Sequence, residues 1–216
     1  MKKIVIGVLL CIIVVMSCRN TYLAEGFETR TQTIVLLGDS ILKNNTYVKK
    51  GVDELLNDST DLNVVSLAKD GAVIGTTYKQ LEHIPGDLNT KTTVCVLSVG
   101  GNNIIEDYIN GSHQVEDTDH LTTLFDSYKV LVKRLREKMD KASILLLDIY
   151  YPTDEQYKEF YPLIERWNKM QSEFAETGDV VKISKMLTQP RDFVFAIEPS
   201  DKGGKKIADS ILSALI

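Results

Sequence analysis

The chain has 216 residues, of which 44% are hydrophobic and 25% are charged, and its formal net charge is -5. These values are typical of a globular protein with one substantial core, and the length favours a single folded domain over two. The acidic balance argues against nucleic acid as a partner, because a surface that binds phosphates needs an excess of Lys and Arg.

The first segment, residues 1–18, differs in character from the rest of the chain. After two lysines, the run "IVIGVLLCIIVVMSC" carries no charge. It is shorter than the roughly 20 apolar residues of a full membrane span and matches the hydrophobic region of a secretory signal. We therefore expect residues 1–18 to be a signal peptide or N-terminal membrane anchor, and residues 19–31 to be a linker. A buried first strand or helix is the alternative, and cleavage, retention and lipidation at Cys18 all stay open.

Residues 1–18, here called the leader, predict a domain outside the cytoplasm, either secreted or tethered to a membrane through the N-terminal segment alone. The sequons at Asn44, Asn57 and Asn110 matter only in a glycosylating secretory route. Cys95 is the one cysteine after the leader, so the domain cannot form an internal disulfide. Its apolar neighbours in the sequence predict a buried, inert thiol.

From residue 32 to residue 216, short apolar runs alternate with longer amphipathic stretches. The runs, which predict strands covered on both faces, are residues 33–38, 62–68, 92–100, 143–151 and 179–183. The stretches that predict helices are residues 48–57, 74–83, 118–140, 153–175 and 201–215. This alternation predicts one α/β domain, a three-layer α/β/α sandwich around a parallel five-stranded sheet.

Polar residues and glycines follow three of these strands, at the edge where parallel sheets place their active sites. Ser40 comes directly after the first strand and offers an attacking oxygen. The backbone N–H groups of Ser40 and Gly71 and the side-chain amide of Asn102 offer donors for an oxyanion. Each turn alone is ordinary, but their occurrence in order at three strand ends is specific and predicts acyl transfer.

Four blocks of the sequence resemble those of the SGNH, or GDSL-type, hydrolases. The blocks are "VLLGDSIL", "DGAVIGTTYKQL", "LSVGGNN" and "IEPSDKGGKKIA", and they extend over residues 33–215. These are serine esterases, lipases and carbohydrate acetylesterases on a flavodoxin-like α/β/α sandwich. The resemblance implies a nucleophile at Ser40, oxyanion donors at Gly71 and Asn102, and an ester substrate with an O-acyl or acetyl group on a lipid or carbohydrate. It implies no cofactor, and no spacing of His, Cys, Asp and Glu indicates a metal site.

The last block departs from the family pattern at two positions. The family has a histidine before the proline, where this chain has Glu198, and an aspartate three residues earlier, where this chain has Phe195. An ordinary glutamate, with a pKa of about 4.3 against about 6.5 for histidine, is a poor base for a serine hydroxyl. If the apolar residues 193–197 surround Glu198 in space, burial raises its pKa and recovers part of that difference.

Three functions therefore stay open. The leading hypothesis is a serine hydrolase in which Ser40 attacks and Glu198 acts as base or polar orienter. The alternative is a catalytically impaired SGNH-like domain that binds an acyl or glycan ligand without turnover. A structural surface protein is the third, and it predicts no well-formed pocket beside Ser40.

The remaining candidates are accessory. Asp39, Asn103 and Ser200 lie in the matching blocks and are expected near the site. The chain has three histidines, at positions 83, 113 and 120, and none lies in a block that would make it the catalytic base.

Overall fold

The computed structural model describes residues 31–109, 111, 113–176 and 179–215. The predicted leader, nearly all of the predicted linker and the sequon at Asn110 lie outside these residues. Among the described helices, none combines the length and the apolar composition that a membrane crossing requires.

The centre of the domain is a five-stranded parallel sheet in the order β2-β1-β3-β4-β5. Its strands are β1 (Thr33–Gly38), β2 (Asn63–Ser66), β3 (Thr93–Ser98), β4 (Ser143–Leu147) and β5 (Val180–Val181). A separate antiparallel hairpin near the C-terminus consists of β6 (Phe193–Val194) and β7 (Glu198–Pro199). The predicted sheet is confirmed, whereas the small hairpin has too few residues for an alternating pattern to show in the sequence.

In the described part of the chain, six α-helices accompany the sheet. They are α1 (Val52–Ser59), α2 (Ile74–Glu82), α3 (Gly101–Ile104), α4 (Thr118–Lys138), α5 (Tyr161–Phe174) and α6 (Asp201–Ser213). The short helix α3 continues into a π-helical turn, Ile105–Ile109, and a 3-10 segment, Glu155–Phe160, precedes α5. The predicted helix over 153–175 is therefore an α-helix only from Tyr161, with Pro162 in its first turn, where a missing N–H costs nothing.

Both faces of the sheet are covered, because successive strand side chains point to opposite sides. On one face, Val35 and Leu37 of β1 pack in a core with residues of α2, α4 and α5. On the other face, Ile34 and Leu36 pack in a second core with residues of α1 and α6. The three-layer α/β/α architecture is confirmed, and it explains why the strands read as continuous apolar runs.

The fourth strand ends earlier than its apolar run predicts. The side chain of Asn168 on α5 accepts a hydrogen bond from the Ile149 N–H at 2.8 Å and donates one to the Ile149 carbonyl at 2.7 Å. The carboxylate of Asp148 accepts bonds from the backbone and hydroxyl of Ser184. The Asp148 N–H still bonds to the Val181 carbonyl of β5 at 3.2 Å. The Asn168 side chain satisfies the backbone of Ile149 that a longer strand would pair, and Ile149 and Tyr150 line the site instead.

Candidate active site

The turn after β1 holds Ser40 at the edge of the sheet. Gly38 has a φ of +120°, and a Cβ at this position would lie 1.6 Å from the Ser98 carbonyl oxygen of the neighbouring strand. The side-chain amide of Gln80 clamps the glycine, since its oxygen accepts from the Gly38 N–H at 2.6 Å and its nitrogen donates to the Gly38 carbonyl at 2.8 Å. Glycine is thus required here by both conformation and space, and Ser40 follows in a fixed place.

Asp39 is almost fully buried beside the nucleophile. One carboxylate oxygen accepts from the Ser98 hydroxyl at 2.9 Å and from the Ile41 N–H at 3.2 Å. Burial raises the pKa of Asp39 to about 7, and the nearby negative charge of Glu198 acts in the same direction. The Asp39 carboxyl group, next to Ser40 in the sequence, therefore changes charge near neutral pH.

Glu198 lies opposite Ser40 on the first position of β7. The Ser40 hydroxyl donates to one carboxylate oxygen of Glu198, Oε1, at 3.3 Å. Burial raises the pKa of Glu198 from an ordinary 4.5 to about 7; the hydrogen bond from Ser40 opposes this rise and the charge of Asp70 adds to it. The second carboxylate oxygen, Oε2, is buried and has no hydrogen-bond partner among the described residues. The pair has the arrangement of a nucleophile and a base.

The residues on either side of Glu198 are held by side chains from distant elements. The Tyr150 hydroxyl donates to the Ile197 carbonyl at 2.6 Å, and the side-chain amide of Asn44 donates to the Pro199 carbonyl at 2.8 Å. Tyr150 and Asn44 were not among the sequence candidates. Tyr150 follows the fourth strand, so the rule that sites gather at strand ends could have found it, whereas nothing in the sequence distinguishes Asn44.

Phe195, which replaces the family aspartate, does not cover Glu198. Its side chain is 75% exposed, and its ring centroid lies 5.9 Å from that of Tyr47. Phe195 and Ala196 both have positive φ angles, 46° and 70°, and this turn directs the ring outward. The expectation that Phe195 helps to bury Glu198 is therefore wrong; Ile197 and Tyr150 line the cleft with Glu198 instead.

The predicted oxyanion donors follow three strands: Ser40 comes after β1, Gly71 after β2, and Asn102 lies in α3 after β3. Gly71 has a φ of +69°, and a Cβ there would meet nothing within 4 Å, so conformation alone requires the glycine. The Asn102 amide donates to the Ala72 carbonyl at 3.0 Å, which joins α3 to the turn after β2. Among the described residues, the backbone N–H groups of Ser40 and Gly71 have no hydrogen-bond acceptor. Free donors of this kind are what an oxyanion requires.

A cleft lies beside Ser40. Its volume is about 590 Å³ when the solvent-filled space at its opening is included. Asp39, Ser40, Asn102 and Glu198 line it, and Gly71 lines a neighbouring groove instead. The remaining lining is predominantly apolar: Ile41, Gly101, Ile104, Ile105, Ile109, Ile149, Tyr150, Pro152, Tyr157, Phe160, Ile164 and Ile197. A formed cleft at the serine contradicts the structural-scaffold hypothesis, which predicts none.

Two of the accessory candidates make contacts that organise the framework. Asn103 accepts a hydrogen bond from the Ile74 N–H at 3.0 Å and so holds the first residue of α2. Ser200 is the N-cap of α6: its hydroxyl accepts from the Gly203 N–H at 3.1 Å and donates to the Arg191 carbonyl at 2.7 Å. Neither residue lines the cleft, whereas Asp39 does.

The histidines lie away from the cleft lining. His113 and His120 stack on each other with ring centroids 3.5 Å apart, and they bond to the carboxylates of Asp117 and Asp107 respectively. His83 is exposed at the end of α2 and lines the groove beside Gly71. Within the described ranges, no group of His, Cys, Asp and Glu side chains is arranged to hold a metal ion.

Solved esterases and lipases share this fold, although no protein-family profile and no curated protein sequence matches the chain. The acetyl xylan esterase AlAXEase is 17% identical with a TM-score of 0.63, over 85% of this chain and 100% of that one. The lipase Lip_vut3 from a goat rumen metagenome is 15% identical with a TM-score of 0.64, over 85% and 97%. A GDSL-like lipase from Bacteroides thetaiotaomicron is 10% identical with a TM-score of 0.61, over 85% and 87%. The chain therefore has the SGNH hydrolase fold.

Proposed function

We propose that the protein is a divergent SGNH-type serine hydrolase that cleaves an ester, with Ser40 as nucleophile and Glu198 as general base. The observation that carries this proposal is the hydrogen bond from the Ser40 hydroxyl to the partly buried Glu198 carboxylate at 3.3 Å, beside an apolar cleft. The similarity of the fold to that of esterases and lipases supports the reaction class.

The first half of the reaction forms an acyl-enzyme. The Glu198 carboxylate takes the Ser40 proton while the Ser40 oxygen attacks the ester carbonyl carbon. The N–H groups of Ser40 and Gly71 and the Asn102 amide stabilise the oxyanion of the tetrahedral intermediate. The bond to the alcohol oxygen then breaks, and the protonated Glu198 gives its proton to the departing alcohol.

The second half releases the acid. Glu198, again a carboxylate, takes a proton from a water molecule whose oxygen attacks the acyl carbonyl. The bond between the carbonyl carbon and the Ser40 oxygen breaks, and the proton returns from Glu198 to that oxygen. Each half therefore uses Glu198 once as base and once as acid, and no cofactor takes part.

A glutamate suits this role because of its surroundings. Burial brings its pKa to about 7, close to the ordinary value of a histidine, so the difference in basicity largely disappears. A carboxylate also has no tautomer that a third residue must select. The outward position of Phe195 is consistent with a dyad that needs no partner at the family's aspartate position.

One observation favours the alternative, an acyl- or glycan-binding domain without turnover. At 3.3 Å the contact between Ser40 and Glu198 is longer than the 2.5–3.0 Å of most O–H···O hydrogen bonds, and the second Glu198 oxygen has no orienting partner among the described residues. If Glu198 is held this loosely, the domain would bind a ligand in the cleft, but Glu198 would not activate the Ser40 hydroxyl.

Hydrolysis of p-nitrophenyl butyrate at pH 8 decides between these functions. We expect turnover by the protein, a loss of about a thousandfold or more in Ser40→Ala, and no loss in Ser127→Ala, an exposed serine on α4. We also expect mass spectrometry to place a fluorophosphonate adduct on Ser40. A parent protein that neither hydrolyses the ester nor forms the adduct contradicts the proposal and supports the binding domain.

A further inference from the structure

We infer that the acyl part of the substrate is a hydrocarbon chain of several carbons, rather than an acetyl group, that lies in the apolar cleft beside Ser40. This inference rests on the proposed hydrolase function and adds the class of acyl group. It is carried by two apolar walls that line this cleft and by the position of its polar groups.

The first wall is the segment that follows β3. Ile104 at the end of α3 and Ile105 and Ile109 of the π-helical turn line the cleft. The polar groups of the same turn are engaged elsewhere. The carboxylate of Asp107 bonds to His120 at 2.9 Å, and the Tyr108 hydroxyl donates to the Asp117 carbonyl at 2.7 Å. The turn therefore presents isoleucine side chains to the cleft and its polar side chains to the start of α4.

The second wall comes from the chain after β4. Tyr157 and Phe160 of the 3-10 segment and Ile164 of α5 line the same cleft as the isoleucines. The Tyr161 hydroxyl donates to the Pro152 carbonyl at 2.5 Å, which ties the start of α5 to the loop after the strand. Packing and a partly buried hydrogen bond thus hold this wall in place.

The base of the cleft is also unsuited to a polar ligand. Ile149 has both backbone polar groups satisfied by Asn168, and the Tyr150 hydroxyl is used by the Ile197 carbonyl. Apart from the Tyr157 hydroxyl, a sugar ring placed here would find few partners for its hydroxyl groups, and each buried, unpaired hydroxyl costs binding free energy. The carboxylates and the amide that line the cleft belong to Asp39, Asn102 and Glu198, next to the reacting serine or in the proposed oxyanion hole.

These features assign the cleft to the acyl group, because the acyl carbon is the one that bonds to Ser40. An acetyl group reaches one methyl beyond the carbonyl and would leave most of the isoleucine surface in contact with water. Each further methylene that enters the cleft removes apolar surface from water and raises kcat/KM by up to about fourfold. The increase stops when the chain reaches the open mouth.

A series of p-nitrophenyl esters from acetate to laurate tests the inference. We expect kcat/KM to rise at least tenfold from acetate to a maximum at a longer chain. Ser40-dependent hydrolysis that is fastest with acetate, or equal across the series, overturns the inference and leaves the proposed function intact.

Binding to the Ser40→Ala protein, measured by calorimetry with octanoate and acetate, separates the two proposals. If no ester is hydrolysed, the proposed function fails. Tighter binding of octanoate than of acetate then still supports an acyl-chain cleft, and equal binding or none overturns it.

A variant that narrows the cleft adds a test of location. Ile105→Trp places an indole on the first wall, and we expect the ratio of kcat/KM for octanoate to that for acetate to fall at least tenfold. Val130→Trp on the exposed side of α4, a position that is 49% exposed, is the matched control and should leave the ratio unchanged. An unchanged ratio in Ile105→Trp, in a protein with the parental circular dichroism, contradicts the inference.

Discussion

At the scale of single residues, the site contains two carboxyl groups whose ionisation is linked. Burial raises the pKa of both Asp39 and Glu198 to about 7, and the charge of Glu198 adds to the rise at Asp39. Repulsion between two charges is reciprocal, so each carboxylate opposes the ionisation of the other, and the measured midpoints belong to the pair. The proposed base for Ser40 is therefore a carboxylate whose charge depends on its neighbour.

Asp39→Asn tests this linkage. Glu198 must be ionised to accept the Ser40 proton, so kcat/KM rises with pH through the pKa of Glu198 and is lost as the pH falls below about 7. Removing the neighbouring charge lets Glu198 ionise at lower pH, and we expect the midpoint of the profile to fall. Asp61→Asn, an exposed carboxylate, is the control. A midpoint that stays in place or moves upward contradicts the linkage.

At the scale of secondary-structure elements, the sequence predicts the existence of elements better than their ends. All five strands of the sheet appear, because runs of apolar residues are a local signal. The early end of β4 depends on hydrogen bonds between Asn168, a residue on the following helix, and the backbone of Ile149. No local sequence pattern indicates that contact. The outward direction of the Phe195 side chain could likewise not be predicted from the sequence, because it depends on positive φ angles at two non-glycine residues.

Two glycines within these elements differ in whether the structure has room for a Cβ atom at their position. At Gly38 a Cβ would lie 1.6 Å from the Ser98 carbonyl oxygen, so we expect Gly38→Ala to prevent folding or to cost several kcal/mol of unfolding free energy. At Gly75, inside α2, a Cβ meets nothing within 4 Å, and Gly75→Ala should stabilise the protein by about 0.5–1 kcal/mol. Urea unfolding of both variants measures the difference, and similar effects at the two positions contradict this account.

At the scale of the whole molecule, the parallel topology brings the candidate residues together. Ser40 and Asn102 follow neighbouring strands β1 and β3, so the rule that ligands bind at the carboxyl ends of parallel strands places them in one cleft. Glu198 comes from the far end of the chain and was found through the resemblance of the last block. The two apolar walls were not predicted, because they consist of ordinary isoleucines and aromatics whose role appears only when distant segments line one cleft.

The topology also holds the framework of the site independently of residue 198. The Gln80 clamp on Gly38 and the contact from Asn102 to Ala72 do not involve residue 198. The serine and the proposed oxyanion donors are thus held independently of the base. Replacement of the base alone changes the chemistry while the fold and the donors stay in place.

The central claim is that Glu198 serves as the base for Ser40, and the most direct test is kcat/KM of Glu198→Gln against that of the parent with one ester from pH 5 to pH 9. Glutamine has nearly the same shape as glutamate but accepts no proton. We predict that kcat/KM of the parent rises with pH, with a midpoint near pH 7. We predict that kcat/KM of Glu198→Gln is lower by about a hundredfold or more and no longer shows this midpoint. A variant that keeps the parental rate and profile contradicts the claim and shows that another group activates the serine.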